Sequence, residues 1–215
     1  MKTILFALIA LMIISCSNSR NNSSYFEKFN KDYIQRKAKY DDKYIAHFPK
    51  EIYRDTHLEL NESVSPEFDM IRFTLFNKTN EKEIKKIKNK YKKSIGIYSA
   101  AENCLLIVNR FANSENNGIN IKLSDAEKDL IDKNCYNRKY PIPNFWHNQF
   151  TTESTECRLP KDFTIFVIDA KPGIYLSEEK LSDGKFMPNN WKHGYSYGIC
   201  ISEEQNVIIY WVVMW

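Results

Sequence analysis

Val207-Ile-Ile-Tyr-Trp-Val-Val-Met-Trp215 is a run of nine residues without a charge, apolar on alternate positions and also on the positions between them. A strand covered on one face alternates apolar with polar residues, whereas a run that is apolar on both faces belongs in the middle of a sheet. At an open edge it would offer unpaired N–H and C=O groups to another chain. The expectation is a central strand with a sheet built around it. Tyr195–Ser202 is a second extended run, and Glu203-Glu-Gln-Asn206 between the two reads as a hairpin turn.

Further upstream, Phe163–Asp169 is a buried run turned by Lys171-Pro-Gly173. In Phe68–Phe76, Ile71, Phe73 and Leu75 alternate with Arg72 and Thr74, the period of a half-buried strand. Glu51–Leu60 is weakly extended. Ser94–Ala100 and Cys104–Arg110 read as a further hairpin through Glu102-Asn103. Three helices interrupt the strands. Tyr25–Ala46 carries an aromatic stripe of Tyr25, Phe29, Tyr33, Tyr40 and Tyr44, and Pro49 closes it. Asn80–Lys93 and Ser124–Lys133 each start with a polar cap and a glutamate three residues on, as Ser24 and Glu27 do for the first helix. Asn134–Asp162 holds Pro141, Pro143 and Pro160 without periodicity; its centre, Tyr140-Pro-Ile-Pro-Asn-Phe-Trp146, is aromatic enough to pack down on the domain. The fold class is α+β: a mostly antiparallel sheet covered by two or three helices.

The 215 residues carry 31 lysines and arginines against 27 acids, a balance too even to argue for nucleic acid, which usually demands a concentrated basic face. Six glycines argue against glycine-rich nucleotide loops, and no cofactor is expected. The helix over 80–93 concentrates seven lysines (Lys82, Lys85, Lys86, Lys88, Lys90, Lys92, Lys93) against Glu81 and Glu83. It is a solvated face, an electrostatic contact with anionic lipid close to the anchor, or a contact for an acidic partner protein.

Gly194-Tyr-Ser196-Tyr-Gly198 matches G-x-S-x-G, but the nucleophile elbow needs a strand before the serine and a helix after it. Here an extended apolar run follows, and no histidine comes after His193. Trp191, His193, Tyr195 and Tyr197 form a dense polar-aromatic cluster and are the candidate binding surface, since aromatic side chains supply contact area at low entropic cost. His47, His57, His147 and His193 are scattered and no metal motif is present, so no metal site is expected.

The first residues resemble the leader of bacterial lipoproteins. Lys2 precedes an apolar run, Ile4–Ile14, which is shorter than the roughly 20 residues that span a bilayer. Ile13-Ile14-Ser15-Cys16 is similar to a lipobox: a branched apolar residue, two further residues of which the last is small, then cysteine. The resemblance implies removal of residues 1–15 and acylation of Cys16. Ser17, rather than an aspartate, follows the cysteine, which under the enterobacterial pattern points away from inner-membrane retention. The absence of an acidic run favours the periplasmic side. Ser17–Ser24 reads as a flexible tether reaching about 15 Å, with a single α+β domain over 25–215.

With Cys16 acylated, Cys104, Cys135, Cys157 and Cys200 remain, and three pairings are open. Cys104 and Cys200 lie in strand-like runs that suit a small buried hydrophobe. Cys135 and Cys157 bracket the irregular stretch, where a bridge would contribute roughly 3 kcal/mol. The favoured pair is Cys135–Cys157, against four reduced thiols. The leading functional expectation is a lipid-anchored envelope protein that binds a protein partner or envelope component without catalysis, an inhibitor or immunity-type lipoprotein being one form. An envelope hydrolase acting on cell-wall or glycan material, drawing acids from Glu153, Glu156 and Asp169, is the alternative. A structural lipoprotein without a discrete site is the third.

Overall fold

The computed structural model describes residues 17–52, 58–65, 70–116, 121–146, 155–177 and 186–215. Cys16 and its lipobox lie outside them. The chain divides into two compact units, Met1–Arg54 and Asp55–Trp215; its length allows one domain or at most two small ones.

In the first unit, helix α1 spans Ser17–Lys37. It starts at Ser17 rather than Tyr25, so the stretch read as a flexible tether is helical. Each residue added to an existing helix gains a backbone hydrogen bond at little nucleation cost, which here overrides the modest helix propensity of Ser and Asn. The helix predicted through Ala46 breaks after Lys37. Asp41 adopts an extended conformation, its carboxylate accepts from Lys43 N at 3.0 Å, and α2 (Asp42–Ile45) begins. The chain then returns along α1. Tyr33 Oη and Lys37 Nζ donate to Pro49 O at 2.6 and 2.8 Å, and Ile52 N donates to Asn30 Oδ1 at 3.0 Å. Tyr33 and Tyr44 of the aromatic stripe are buried, Phe29 and Tyr40 half-buried.

The second unit runs β1 (Leu58–Ser65), β2 (Met70–Lys78), α3 (Glu81–Tyr91), β3 (Gly96–Ser99), β4 (Ile107–Val108), α4 (Asp125–Lys128), β5 (Ile142–Pro143), β6 (Thr164–Pro172), β7 (Gly194–Ser202) and β8 (Val207–Met214). Six strands form one sheet in the order β1-β2-β8-β7-β6-β3, with every neighbouring pair antiparallel. The all-apolar β8 sits inside this sheet, buried along its whole length, and forms the expected hairpin with β7. The chain is an α+β protein.

The predicted hairpin between Ser94–Ala100 and Cys104–Arg110 does not form. β3 pairs with β6, and β4 pairs in parallel with β5. Cys104 has φ 78° and carries the chain off the sheet after β3. Its disulfide with Cys135, with Cα atoms 6.2 Å apart, holds that exit in place. The predicted Cys135–Cys157 bridge is thereby corrected. Between those two cysteines β5 takes the chain into the core. Cys157 is then fully buried with its Sγ 3.2 Å from Thr155 Oγ1, while Cys135 stays exposed. Cys157 and Cys200 are free, buried thiols.

The two sheet faces are covered differently. On one, Cys200, Ile209, Trp211 and Val213 pack in a single core cluster with residues from the 105–108, 136–145 and 157–163 segments. Irregular chain, not helix, covers this face, and the aromatic centre of the proline-rich stretch packs into it as expected. On the other face α3 buries Ile84 and Ile87. Asn80 caps α3, its Oδ1 accepting from Glu83 N at 3.0 Å, and Ser124 with Glu127 forms a reciprocal capping box on α4.

Candidate functional site

Successive residues of a strand point to opposite faces. Ser196 of β7 is fully buried on the loop-covered face and donates to Pro141 O at 2.6 Å. Tyr195 and Tyr197 therefore point the other way. On β6 a continuous register would place Ile168 beside Tyr197 and turn Asp169 into the apolar loop-covered core. A β-bulge between Val167 and Asp169 prevents this: Val167 pairs with Gly198, and Asp169 pairs with Tyr197. The extra residue re-aims the carboxylate onto the tyrosine face.

There Tyr195 Oη donates to Asp169 Oδ2 at 2.7 Å, a diagonal cross-strand contact, and Ala170 N donates to Asp169 Oδ1 at 3.0 Å. The Tyr195 ring stacks near-parallel with Tyr197 at 6.1 Å and meets Tyr175 edge-on at 4.7 Å. Burial first, then the neighbouring Asp169, pushes the Tyr195 phenol well above its usual value. It stays protonated and serves as a donor. After β6, Gly173 takes φ +137°, its N donates to His193 O at 3.0 Å, and the next two residues turn outward. Ile174 is 69% exposed and Tyr175 38%, while Leu176 is buried and returns the chain to the core. The result is an exposed apolar-aromatic edge with a phenol–carboxylate pair behind it. Its chemistry is that of contact and hydrogen bonding.

The four residues predicted as a binding surface are divided because only Tyr195 and Tyr197 lie on β7, whereas Trp191 ends a 3₁₀ turn (Asn189–Trp191) ahead of the strand. Tyr195 and Tyr197 belong to this cluster. Trp191 is in the core: its ring lies 6.1 Å from that of Trp215, and its carbonyl accepts from Trp215 Nε1 at 2.9 Å. His193 is half-buried at the entrance to β7. Asp169 and Tyr175 complete the cluster. Asp169 is among the candidate acids of the hydrolase reading, not part of the predicted surface; Tyr175 could have been suspected as half of an apolar pair straight after a Lys-Pro-Gly turn.

Of the other acids named for hydrolysis, Glu156 does not join Asp169. Glu156 pairs with the buried Arg110 at 2.9 Å on the loop-covered side; Arg110 also donates to Leu105 O and lies over the Tyr136 ring. Glu153 lies outside the described residues, as do His57 and His147. Among the described residues no group of three or more His, Cys, Asp or Glu is placed to hold a metal ion. The chain matches no protein-family model, no curated protein and no solved structure.

Proposed function

We propose that this chain is a lipid-anchored cell-envelope protein, periplasm-facing, that binds a protein partner or envelope component without catalysis. The lipobox-like Ile13-Ile14-Ser15-Cys16 supports the anchor. The observation that carries the binding role is the exposed Ile174–Tyr175 edge beside the Tyr195–Asp169 pair. Large exposed apolar side chains next to a polar, aromatic support have the composition of a contact surface. Inhibition of an envelope enzyme, or immunity against one, is a concrete form of this role.

Crosslinking from native membranes, read by mass spectrometry, tests the role. A single stoichiometric partner is expected, and Tyr175→Ala combined with Ile174→Asp should weaken its capture at least tenfold, because truncating contact-centre residues costs upwards of about 2 kcal/mol. Both positions are exposed, so circular dichroism should not change. Undiminished capture by the double variant removes the site assignment. The anchor is tested separately: the mature N-terminal peptide should begin at Cys16 and carry the mass of its acyl chains. A chain cut elsewhere and unacylated removes that half of the reading.

A further inference from the structure

Helix α3 and the strand after it carry a pattern that the aromatic edge does not use. From Ile84 to Ala101 the chain has six lysines and no acid. Lys82, Lys85, Lys86, Lys88, Lys90, Lys92 and Lys93 are all exposed, while Ile84 and Ile87 are buried beneath them. Lys86 pairs with Glu83 and Lys88 with Glu203. Lys90 lies 5.0 Å over its neighbour's ring, Tyr91. Lys82, Lys85, Lys92 and Lys93 have no carboxylate partner among the described residues. The acids Glu81 and Glu83 stand in the first turn, where they complement the helix dipole. The C-terminal half of the helix itself carries only basic charge, with Glu203 of the β7–β8 turn paired to Lys88.

Ser94 Oγ donates to Tyr91 O at 2.8 Å and ends the helix. The chain then presents Ile95 and Ile97, 43% and 46% exposed. Ile97 lies in one register row with Phe166, Ile199 and Tyr210. Glu83 and Tyr91 of α3 act on the Tyr210 phenol, so α3 lies over the same sheet face that Ile97 points from. At about 4.8 Å per strand, Ile97 and the strand under α3 are roughly 14 Å apart. Exposed Ile97 on the edge strand, with Ile95 just ahead of it, thus stands beside a lysine field on one side of the sheet.

We infer that this corner docks on an anionic phospholipid surface, the lysines meeting headgroups and Ile95 and Ile97 entering the headgroup–acyl boundary. Basic residues beside aliphatic ones are what an interfacial contact needs. A nucleic-acid site would favour arginine forks and stacking aromatics. From Thr79 to Asn109 there is no arginine, and isoleucine does not stack. The contact does not depend on acylation of Cys16, so its failure would leave the anchor reading untouched.

The test is co-sedimentation of the unacylated full chain with vesicles of phosphatidylcholine, with and without phosphatidylglycerol. Two variants are compared: one carries Lys82→Ser, Lys85→Ser, Lys92→Ser and Lys93→Ser, and the other carries Ile95→Ser with Ile97→Ser. The apolar leader is common to all chains and cancels. Phosphatidylglycerol should raise partitioning of the native chain in a salt-sensitive way. The lysine variant should lose about tenfold or more of that excess, and the isoleucine variant should lose partitioning at high salt as well. Equal partitioning of native chain and lysine variant, with unchanged circular dichroism, overturns the inference. So does native-chain binding that salt does not weaken, or a lysine effect seen only on capture of a protein.

Discussion

The G-x-S-x-G match is explained residue by residue. A Cβ at Gly198 would stand 2.0 Å from Phe166 O and 2.8 Å from Trp211 Cζ2; one at Gly194 would stand 2.8 Å from Lys171 O and 3.1 Å from Trp215 Cζ2. The two glycines seat two tryptophans against β7, and the serine between them holds the Pro141 carbonyl. Gly198→Ala should therefore destabilise the protein by about 1–3 kcal/mol through overpacking, read as a lower urea midpoint at unchanged m-value. Arg72 points the opposite way. It is 4% exposed, its Nε has no hydrogen-bond partner among the described residues, and burial lowers its pKa to about 10. A buried charge without a partner costs stability that an apolar side chain of similar size does not, so Arg72→Met should raise stability by roughly 1–3 kcal/mol. In the native protein the cost is fully present below pH 10. It is relieved as pH rises beyond that, because the folded form sheds the proton before the unfolded one. A midpoint unchanged or lowered in Arg72→Met at neutral pH would contradict this.

At the scale of elements, the loop layer is braced where it leaves the sheet. Beside the Cys104–Cys135 bridge, Lys139 Nζ reaches Glu102 at 2.7 Å and lies 4.6 Å over the Tyr98 ring, and Tyr140 N donates to Tyr98 Oη at 2.9 Å. Opening the bridge, which joins cysteines 31 residues apart, should cost about 3–4 kcal/mol, measured as the unfolding difference between native protein and Cys104→Ser with Cys135→Ser. Burial pushes the Glu102 carboxyl up, but Lys139 and the Ser99 amide outweigh it and hold it below its usual 4.5. The ion pair's contribution, below about 1 kcal/mol at this exposure, is complete above pH 4.5 and fades as pH falls through the lowered value. The stability gap to Lys139→Met should narrow in acid accordingly. β8 and its hairpin were legible because their signals are local: nine apolar residues and a four-residue turn. The β3–β6 and β4–β5 pairings were not, since the partners lie far apart in sequence and short strands carry no period of their own. The bulge at Ile168 was hidden for a related reason. Phe163–Asp169 is apolar almost throughout, so no alternation marks the extra residue, and the placement of Asp169 beside Tyr195 depends on it.

For the whole molecule, the sheet is joined through a single strand. β2 brings β1 to one side of β8, and β7 brings β6 and β3 to the other. A chain stopped at Asn206 should have no native near-ultraviolet dichroism and should expose both β2 and β7 as pairing edges; a cooperative unfolding transition in that truncation would refute the picture. The order of manufacture adds something more. Every other strand of the sheet precedes β8 in the chain, so a ribosome delivers both halves before the piece that unites them. Until β8 has emerged, β2 and β7 stand as two open edges with nothing between them, so the sheet closes late and all at once.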